Sequence, residues 1–406
     1  MSRSRSSFAA TAAILGVAML LGTAAEVRAD ALYTFTDLGT LGGPDSNAHG
    51  VNTLGQVVGE SQVADGTQHA FVFSGGVMRD LGLSAAGVGT AGTGESSFAY
   101  GINNNGQIVG WTNTNGGFGE RAYIQTGGAR QDIGTLGGTS AEAVAVNASG
   151  TATGNSFLAD NSTRHAFVAS GGGRTDIGTL GGTNSYGYGV NNAGTIVGKS
   201  QVAGNGSYHA FSYAGGGPRD LGTLGGSASE ALGVNNAGTI VGGASRSDGA
   251  THAFAIVGGM IRDLGTLGGG FSVGQGLNNS GQFVGTSTTA AGATHAFLSD
   301  GTLIQDLNAI TTLPLGWVLN LATSVSDNGY IVGTAFDPVT GRHHGYLLTP
   351  TNGGQGGTGG PGTPEPSSLT LLGLGAVGAA VARRRRRARV GPGPGPGLGL
   401  GGPVAA

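Results

Sequence analysis

Short apolar runs broken by Asn-Gly and Gly-Gly pairs set the rhythm of this chain, and residues 33–348 hold no apolar stripe at helical spacing. In a representative stretch, residues 231–235 lead into the turn Asn236-Ala237-Gly238, and residues 239–244 follow. A loop through Asp248-Gly249, residues 251–256, a Gly258-Gly259 turn and residues 260–265 complete it. Asn and Gly tolerate the positive φ of tight turns, while the β-branched Thr, Ile and Val between them favour extended backbone. The pattern predicts four short strands.

That pattern recurs with three signatures in fixed order. Asp-Leu-Gly-Thr-Leu-Gly-Gly or a relative begins at Asp37, Asp80, Asp132, Asp176, Asp220, Asp263 and Asp306. Gly-Val-Asn-Asn-x-Gly or a relative has its apolar residue at Val51, Ile102, Val146, Val190, Val234, Leu277 and Val325. His-Ala-Phe begins at His69, His165, His209, His252 and His295, with Arg121-Ala122-Tyr123 and His344-Gly345-Tyr346 in the two remaining places. From Asp132 onward the first signature repeats every 43 or 44 residues; the step from Asp80 is 52 because of a Gly-rich excursion at 84–97. Four strands in about 40–45 residues is the size of one β-propeller blade.

The expected fold is therefore all-β, a seven-bladed β-propeller of ~44-residue repeats over residues 30–349. The chain opens with the strand-like residues 33–38, and its last unit ends at Leu348 without the corresponding strand. The N-terminal strand is thus expected to complete the seventh sheet, closing the ring and covering two edges that otherwise invite aggregation. An open β-solenoid is the competing architecture, although its coils run nearer to about 20–30 residues.

The ends of the chain carry addresses. Arg3 and Arg5 precede an uncharged run at 6–25, and small residues mark cleavage after Ala29 or Ala31, so residues 1–29 read as a secretory signal for the secretion machinery and signal peptidase. At the other end a Gly-rich linker, 350–363, leads to Pro364, Glu365 and Pro366, an uncharged run at 369–382, and Arg383, Arg384, Arg385, Arg386 and Arg387. The 14 residues 369–382 span only about 21 Å as a short hydrophobic helix, against a hydrocarbon core of about 30 Å. A transient membrane anchor fits that length, with the arginines left on the cytoplasmic side and the repeat body outside. A Gly/Pro-rich tail, 391–406, follows the 364–390 segment.

Composition narrows the chemistry. There is no cysteine, which excludes disulfides, thiolate metal sites and thiol nucleophiles. Setting aside nine of the 19 basic residues and two of the 22 acidic ones, which lie in the segments expected to be processed, leaves ten basic and 20 acidic residues in the body. Such a body repels nucleic-acid phosphates.

The repeat body resembles the HAF-repeat family of predicted extracellular bacterial proteins, over residues 33–348 and on the tripeptides quoted above. That resemblance implies a location and a repeat, with no chemistry to carry over. The tail resembles a PEP-CTERM sorting signal, a family handled by an exosortase, a membrane-embedded transpeptidase-like protease of Gram-negative bacteria that make exopolysaccharide. The resemblance implies Pro364, Glu365 and Pro366 as the recognition element, an exosortase as partner, and exopolysaccharide as a further partner. One departure stands out: such chains usually end soon after their arginines, whereas this one continues to Ala406.

The repeated histidines and aspartates read as structural, hydrogen-bonded within each blade, because what every unit carries is usually what folding needs. A ring of His ligands for a metal is the sharper reading, but Arg121 replaces one member and the rest are spread around the ring. Glu60, Glu95, Glu120, Glu142 and Glu230 lie singly in different units and read as solvated faces, so no carboxylate pair is nominated for glycoside cleavage. Calcium is the only cofactor alternative, at loop carboxylates such as Asp248, Asp300 and Asp327, which otherwise read as turn residues. Trp111, Trp317, Tyr186, Tyr188 and Tyr208 read as core packing, with stacking on sugar rings as the alternative if they line one face. The reading is a non-enzymatic, exported scaffold or adhesion protein of the cell surface or extracellular matrix. A carbohydrate-binding propeller would instead gather aromatic and polar residues on one end, and a polysaccharide-cleaving enzyme would converge two or three charged groups in a pocket.

Overall fold

The computed structural model describes residues 31–82, 96–113 and 119–351, and among these every regular element is a β-strand. The secretory segment, the linker beyond Thr351, the short hydrophobic helix and the sorting residues Pro364 to Arg387 lie outside the described residues.

The chain opens with β1 (Tyr33–Asp37) and then lays down antiparallel four-stranded sheets in sequence order. The first is β2 (Gly42–Val51), β3 (Val57–Val63), β4 (Gln68–Ser74) and β5 (Val77–Asp80). The second holds β6 (Ser97–Ile102), β7 (Ile108–Asn113), β8 (Glu120–Thr126) and β9 (Ala129–Asp132). The third holds β10 (Gly137–Val146), β11 (Ala152–Leu158), β12 (Arg164–Ser170) and β13 (Gly173–Gly178), and the fourth β14 (Gly181–Val190), β15 (Ile196–Val202), β16 (Tyr208–Tyr213) and β17 (Arg219–Asp220). The fifth run is β18 (Gly225–Val234), β19 (Ile240–Arg246), β20 (Thr251–Val257) and β21 (Met260–Gly265). It joins the sixth through a single parallel pair, Thr251 with Phe271. The sixth comprises β22 (Gly268–Leu277), β23 (Phe283–Thr289), β24 (Thr294–Ser299) and β25 (Ile304–Asp306). The last sheet takes β27 (Val318–Val325), β28 (Ile331–Asp337), β29 (Arg342–Pro350) and β1, with β26 (Thr311–Thr312) parallel to β1 at its edge.

One rung organises every sheet. Phe71 lies opposite Gly59, and Phe167, Phe211, Phe254 and Phe297 lie opposite Gly154, Gly198, Gly242 and Gly285. Tyr123 and Tyr346 lie opposite Gly110 and Gly333. The glycine in turn faces Ala or Gly on the preceding strand, as Ala48 faces Gly59 and Gly187 faces Gly198. All these rings are completely or almost completely buried. A Cβ at Gly198 would collide with the carbonyl of Tyr186 and press on the Phe211 ring, so glycine is what lets the aromatic side chain lie across the sheet. Where tyrosine replaces phenylalanine, its hydroxyl donates to an inner-strand carbonyl, Tyr123 to Phe98 at 2.9 Å and Tyr346 to Leu321 at 3.0 Å.

Neighbouring sheets are tied by buried polar side chains. The Oγ of Ser185 accepts the Ala166 N–H at 2.9 Å and donates to the Gly178 carbonyl at 2.6 Å; Ser229 and Ser272 repeat both bonds. Ser46 of the first sheet does the same for Gly345 and Gly39, which belong to the two ends of the described chain. Further bonds join the last sheet to the first: Thr323 Oγ1 donates to the Ala48 carbonyl at 2.8 Å, and Asn328 Nδ2 to that of Thr53 at 2.8 Å. β1 pairs antiparallel with β29 along its whole length, Tyr33 opposite Pro350 through Asp37 opposite Tyr346.

Two features depart from the pattern read in the sequence. The first strand of each long unit starts earlier than alternation indicates, β18 at Gly225 in place of 231, because its opening half is Gly and Ser. Register shifts between Gly225 and Ser229 and between Ala231 and Gly233 break its side-chain period. A fourth recurring element, the glycine at the centre of each second strand, carries the rung just described and has no apolar signal to advertise it.

Gly198→Ala is expected to lower stability by about 1–3 kcal/mol in thermal or urea unfolding, the usual penalty for overpacking. Gly206→Ala, at a loop position where an added Cβ meets open space, is expected to leave stability unchanged or raise it slightly. Equal losses from the two substitutions would remove the rung from its central place.

Candidate functional site

Three sets of side chains carry the polar chemistry of the fold, and the first is the residues that recur. His69 Nδ1 lies 2.8 Å from the Asp80 carboxylate, His165 2.8 Å from Asp176, His209 2.8 Å from Asp220, His252 2.9 Å from Asp263 and His295 2.6 Å from Asp306. Arg121 Nε donates to Asp132 at 3.0 Å, and His344 Nδ1 lies 3.1 Å from Asp37. Each Asp also accepts the N–H two residues on, as from Gly178 to Asp176 at 2.8 Å, so one carboxylate fixes the turn and the neighbouring strand together. The pairs sit one to a sheet, on its outer two strands. Among the described residues no group of three His, Asp or Glu side chains converges as a metal site.

The second set is the Asn of Gly-Val-Asn-Asn-x-Gly. Asn52, Asn103, Asn147, Asn191, Asn235 and Asn278 are buried, and their Oδ1 atoms accept N–H groups of their own turns. Each Nδ2 donates to the carbonyl of the equivalent residue in the next sheet, as Asn147 does to Asn191 at 2.9 Å and Asn278 to Ser326 at 3.0 Å. Together these turns, from Val51 and Thr53 through Ser326 and Asp327, line a cavity of about 270 Å³ to which every sheet contributes. The Nδ2 groups of these six asparagines are already committed, and Asp327 is the one charged residue of the polar lining. Asp248 and Asp300 cap their own turns, and Asp327 accepts the Asn279 N–H at 2.8 Å.

The third set is where the repeat breaks. One rung further from the hairpin turn than the small residue–glycine pair, the register aligns Asn47 with Glu60, Phe98 with Trp111, Glu142 with Asn155, Tyr186 with Lys199, Glu230 with Gly243, Val273 with Thr286, and Leu321 with Thr334. Reading the glutamates as single solvated residues is corrected here. Arg164 donates to Glu142 at 2.8 Å, to Asn155 at 2.9 Å and, across the sheet boundary, to Glu120 at 3.4 Å, while its guanidinium stacks 4.3 Å above the Phe157 ring. Lys199 donates to Glu230 of the next sheet at 2.9 Å, and the rings of Tyr186, Tyr188 and Tyr208 surround its ammonium at 5.6–5.8 Å. Glu60 is bonded to Asn47 and to His49, whose ring meets Tyr100 at 5.1 Å. Trp111 Nε1 donates to the Tyr100 hydroxyl at 3.2 Å and its ring stacks on Phe98 at 4.4 Å. These contacts form a belt that runs from sheet to sheet. Glu95 lies outside the described residues, and Trp317 lies elsewhere, against Phe35 and His344 at the seam of the chain ends.

Electrostatics follow from the packing. Burial, then the charge and hydrogen-bond contact of Glu142, hold the Glu120 carboxyl above the usual carboxylate range, with Arg164 pulling the other way. Burial pushes the Tyr100 and Tyr188 phenols up to about 12, which keeps them neutral donors. Burial opposes the charge on Lys199, yet Tyr188 and Glu230 hold its ammonium well above the usual lysine value.

With this geometry in place, comparison with known proteins adds an address. The tail matches the PEP-CTERM protein-sorting motif at residues 363–387, which implies export, a membrane-anchored C-terminal sorting segment and processing by an exosortase. No curated protein matches the chain. Among solved structures it is similar to TolB from Acinetobacter baumannii, at 16% identity over 74% of this chain and 81% of that one with a TM-score of 0.39. It is similar also to YCF48 bound to D1 peptide, at 11% identity over 80% and 97% with a TM-score of 0.45. A third is the BP39L lectin from Burkholderia pseudomallei, at 10% identity over 80% and 97% with a TM-score of 0.39.

The His344–Asp37 pair gives the fold a pH dependence. The hydrogen bond donated to Asp37 raises the His344 value above that of an ordinary histidine, against an opposing effect of burial, and the charges of Asp37, Asp337 and Asp45 add to the rise. A raised histidine stabilises the fold while protonated, so its contribution is complete below about pH 6.5 and fades as the pH climbs through the higher folded value. Thermal melts of the native protein and His344→Gln are expected to differ most near pH 6 and to converge toward pH 9. A gap that widens with rising pH would contradict this assignment.

Proposed function

We propose that this chain is a closed, seven-bladed β-propeller, exported and exosortase-processed, and displayed at the cell surface or in the extracellular matrix as a scaffold or adhesion protein. The observation that carries the ring is the cavity to which every sheet contributes, with the last sheet hydrogen-bonded to the first and β1 completing the last. A solenoid stacks its coils along an axis and provides no such common cavity. The address rests on the sorting motif at 363–387 and, in the sequence, on the charged and apolar start at 1–29. The HAF-repeat resemblance, which rests on the tripeptides, points to the same extracellular location.

The reading is non-catalytic. Carboxylates that cleave a glycosidic bond flank it at about 5–10 Å. Glu120 and Glu142 are both bonded to the single cation Arg164, an arrangement that ties them to a shared neighbour in place of leaving them to flank a sugar. The repeated His–Asp pairs each serve their own sheet, and among the described residues no three carboxylates or histidines converge.

Two measurements test the proposal. A variant beginning at Leu38, which lacks β1 and leaves the β29 edge bare, is expected to melt at lower temperature and to self-associate in light scattering, as unpaired edges do. An unchanged melting point and a monomeric variant would remove the closure. Intact-mass analysis of the protein from fractionated exosortase-positive cells is expected to give a surface or secreted product without Arg383 to Ala406. A surface product that keeps those residues would refute the processing.

A further inference from the structure

We propose that the arc of the belt from the second to the fifth sheet is a binding site for a neutral oligosaccharide, a proposal that rests on reading the chain as a non-catalytic binding protein.

The argument starts from what the fold does not need. At this register position the sixth and last sheets carry Val273 with Thr286 and Leu321 with Thr334, on the same backbone that elsewhere carries Glu142 with Asn155 or Tyr186 with Lys199. An apolar residue beside threonine therefore satisfies the sheet. The charged and aromatic pairs add something else, and they add it over consecutive sheets with ion pairs across two of the three boundaries, Arg164 to Glu120 and Lys199 to Glu230.

The side chains in the arc are accessible. Those of Arg164, Glu142, Glu120, Lys199 and Glu230 are 20–33% exposed, and the rings of Tyr186, Tyr188, Tyr208 and Trp111 are half-buried. A pyranose ring presents an apolar face of C–H groups to an aromatic ring and a rim of adjacent hydroxyls to forked polar groups. Tyr186 and Tyr188 lie nearly parallel, 6.5 Å apart, and Tyr208 is tilted against Tyr186 at 6.0 Å. That is a platform for the first element. The Arg164 guanidinium with its two carboxylates, and the Lys199 ammonium with Glu230, supply fixed donors and acceptors for the second. Because ion pairing and packing already hold these groups, little side-chain freedom is lost on binding.

Charge selects among sugars. The arc holds two cations, Arg164 and Lys199, each already bonded to carboxylate, against the three carboxylates Glu120, Glu142 and Glu230. The whole body carries ten basic and 20 acidic residues. A uronate, sulfated or phosphorylated polymer meets net repulsion in such a site, while neutral hydroxyls can use both signs.

The test is calorimetric titration of the full chain with neutral gluco-, manno- and galacto-oligosaccharides and with polygalacturonate. At least one neutral oligosaccharide is expected to bind and polygalacturonate is not. Tyr186→Ala is expected to weaken binding by about tenfold or more and Tyr186→Phe by less than about threefold, with both variants keeping the native melting point to within a few degrees. His209→Asn, on the outer strands, is expected to bind as the native protein does. Failure of every neutral oligosaccharide, preference for polygalacturonate, or full affinity in a folded Tyr186→Ala protein would each overturn the proposal. New reducing ends released from a bound oligosaccharide would leave the site standing and overturn the non-catalytic reading, so the two fail separately.

Discussion

An aromatic ring laid over a glycine is the contact on which this architecture turns. In each sheet the third strand offers Phe or Tyr, the second strand offers Gly beneath it, and the first offers Ala or Gly beyond. Without the glycine the ring has nowhere to lie, and without the ring each sheet loses its largest buried side chain, a loss typically worth about 3–5 kcal/mol for Phe to Ala. The constraint explains why a body so rich in glycine and so poor in large apolar residues still has a core: small residues are spent where a ring must cross, and every sheet has such a ring.

Packing of that kind is weakly directional, and the polar side chains supply direction. A buried asparagine closes its own hairpin with its oxygen and reaches the next sheet with its amide; a buried serine accepts from one sheet and donates to the loop that leads into its own. Because each of these groups is satisfied in both directions, the desolvation it suffers is offset where a mispaired neighbour would leave an amide bare. The last unit has Ser326 in place of the asparagine, and Asn328 makes the bond to the first unit instead. The link is thus kept by a different residue at the junction where the repeat has its ends. No cysteine is required for this kind of stapling.

The recurring part of this design was legible in the sequence, and the part that departs from recurrence was not. Strand positions from the second to the fourth of a unit followed from β-branched runs and Gly-Gly turns, and the recurring Asp, with His in six units and Arg121 in the seventh, marked the residues that hydrogen-bond on each sheet. The first strands began too late in that reading because Gly225 to Ala228 carry no apolar period and the strand is bulged twice. The central glycines passed unnoticed since a glycine inside an apolar run looks like a weakness until the partner ring is seen. Glu60, Glu142 and Glu230 looked solitary because sequence distance hid a shared register; the pairing of first with second strands puts them and the Tyr186–Lys199 pair on one belt, to which Arg164 adds Glu120 and Lys199 adds Tyr208 from third strands. Trp317 shows the converse, an aromatic that suits a sugar platform by type and instead packs against Phe35 where the ends meet.

The belt also poses an energetic question whose answer bears on its role. Ion pairs drawn partly out of water recover little of their desolvation, and apolar residues of similar size often serve stability as well or better. This chain contains that comparison within itself, since Val273 with Thr286 and Leu321 with Thr334 occupy the position that Tyr186 with Lys199 and Glu142 with Asn155 occupy elsewhere. Arg164 with two carboxylates and Lys199 with Glu230 are thus not the cheapest way to fill the boundary between sheets. Tyrosines kept neutral beside a fixed ammonium, and a guanidinium held in a fork of carboxylates, are arrangements whose worth lies in presenting donors and acceptors at set positions to something outside the fold. On this reasoning the repeat supplies the frame through what it holds constant, and recognition through the one rung it allows to vary.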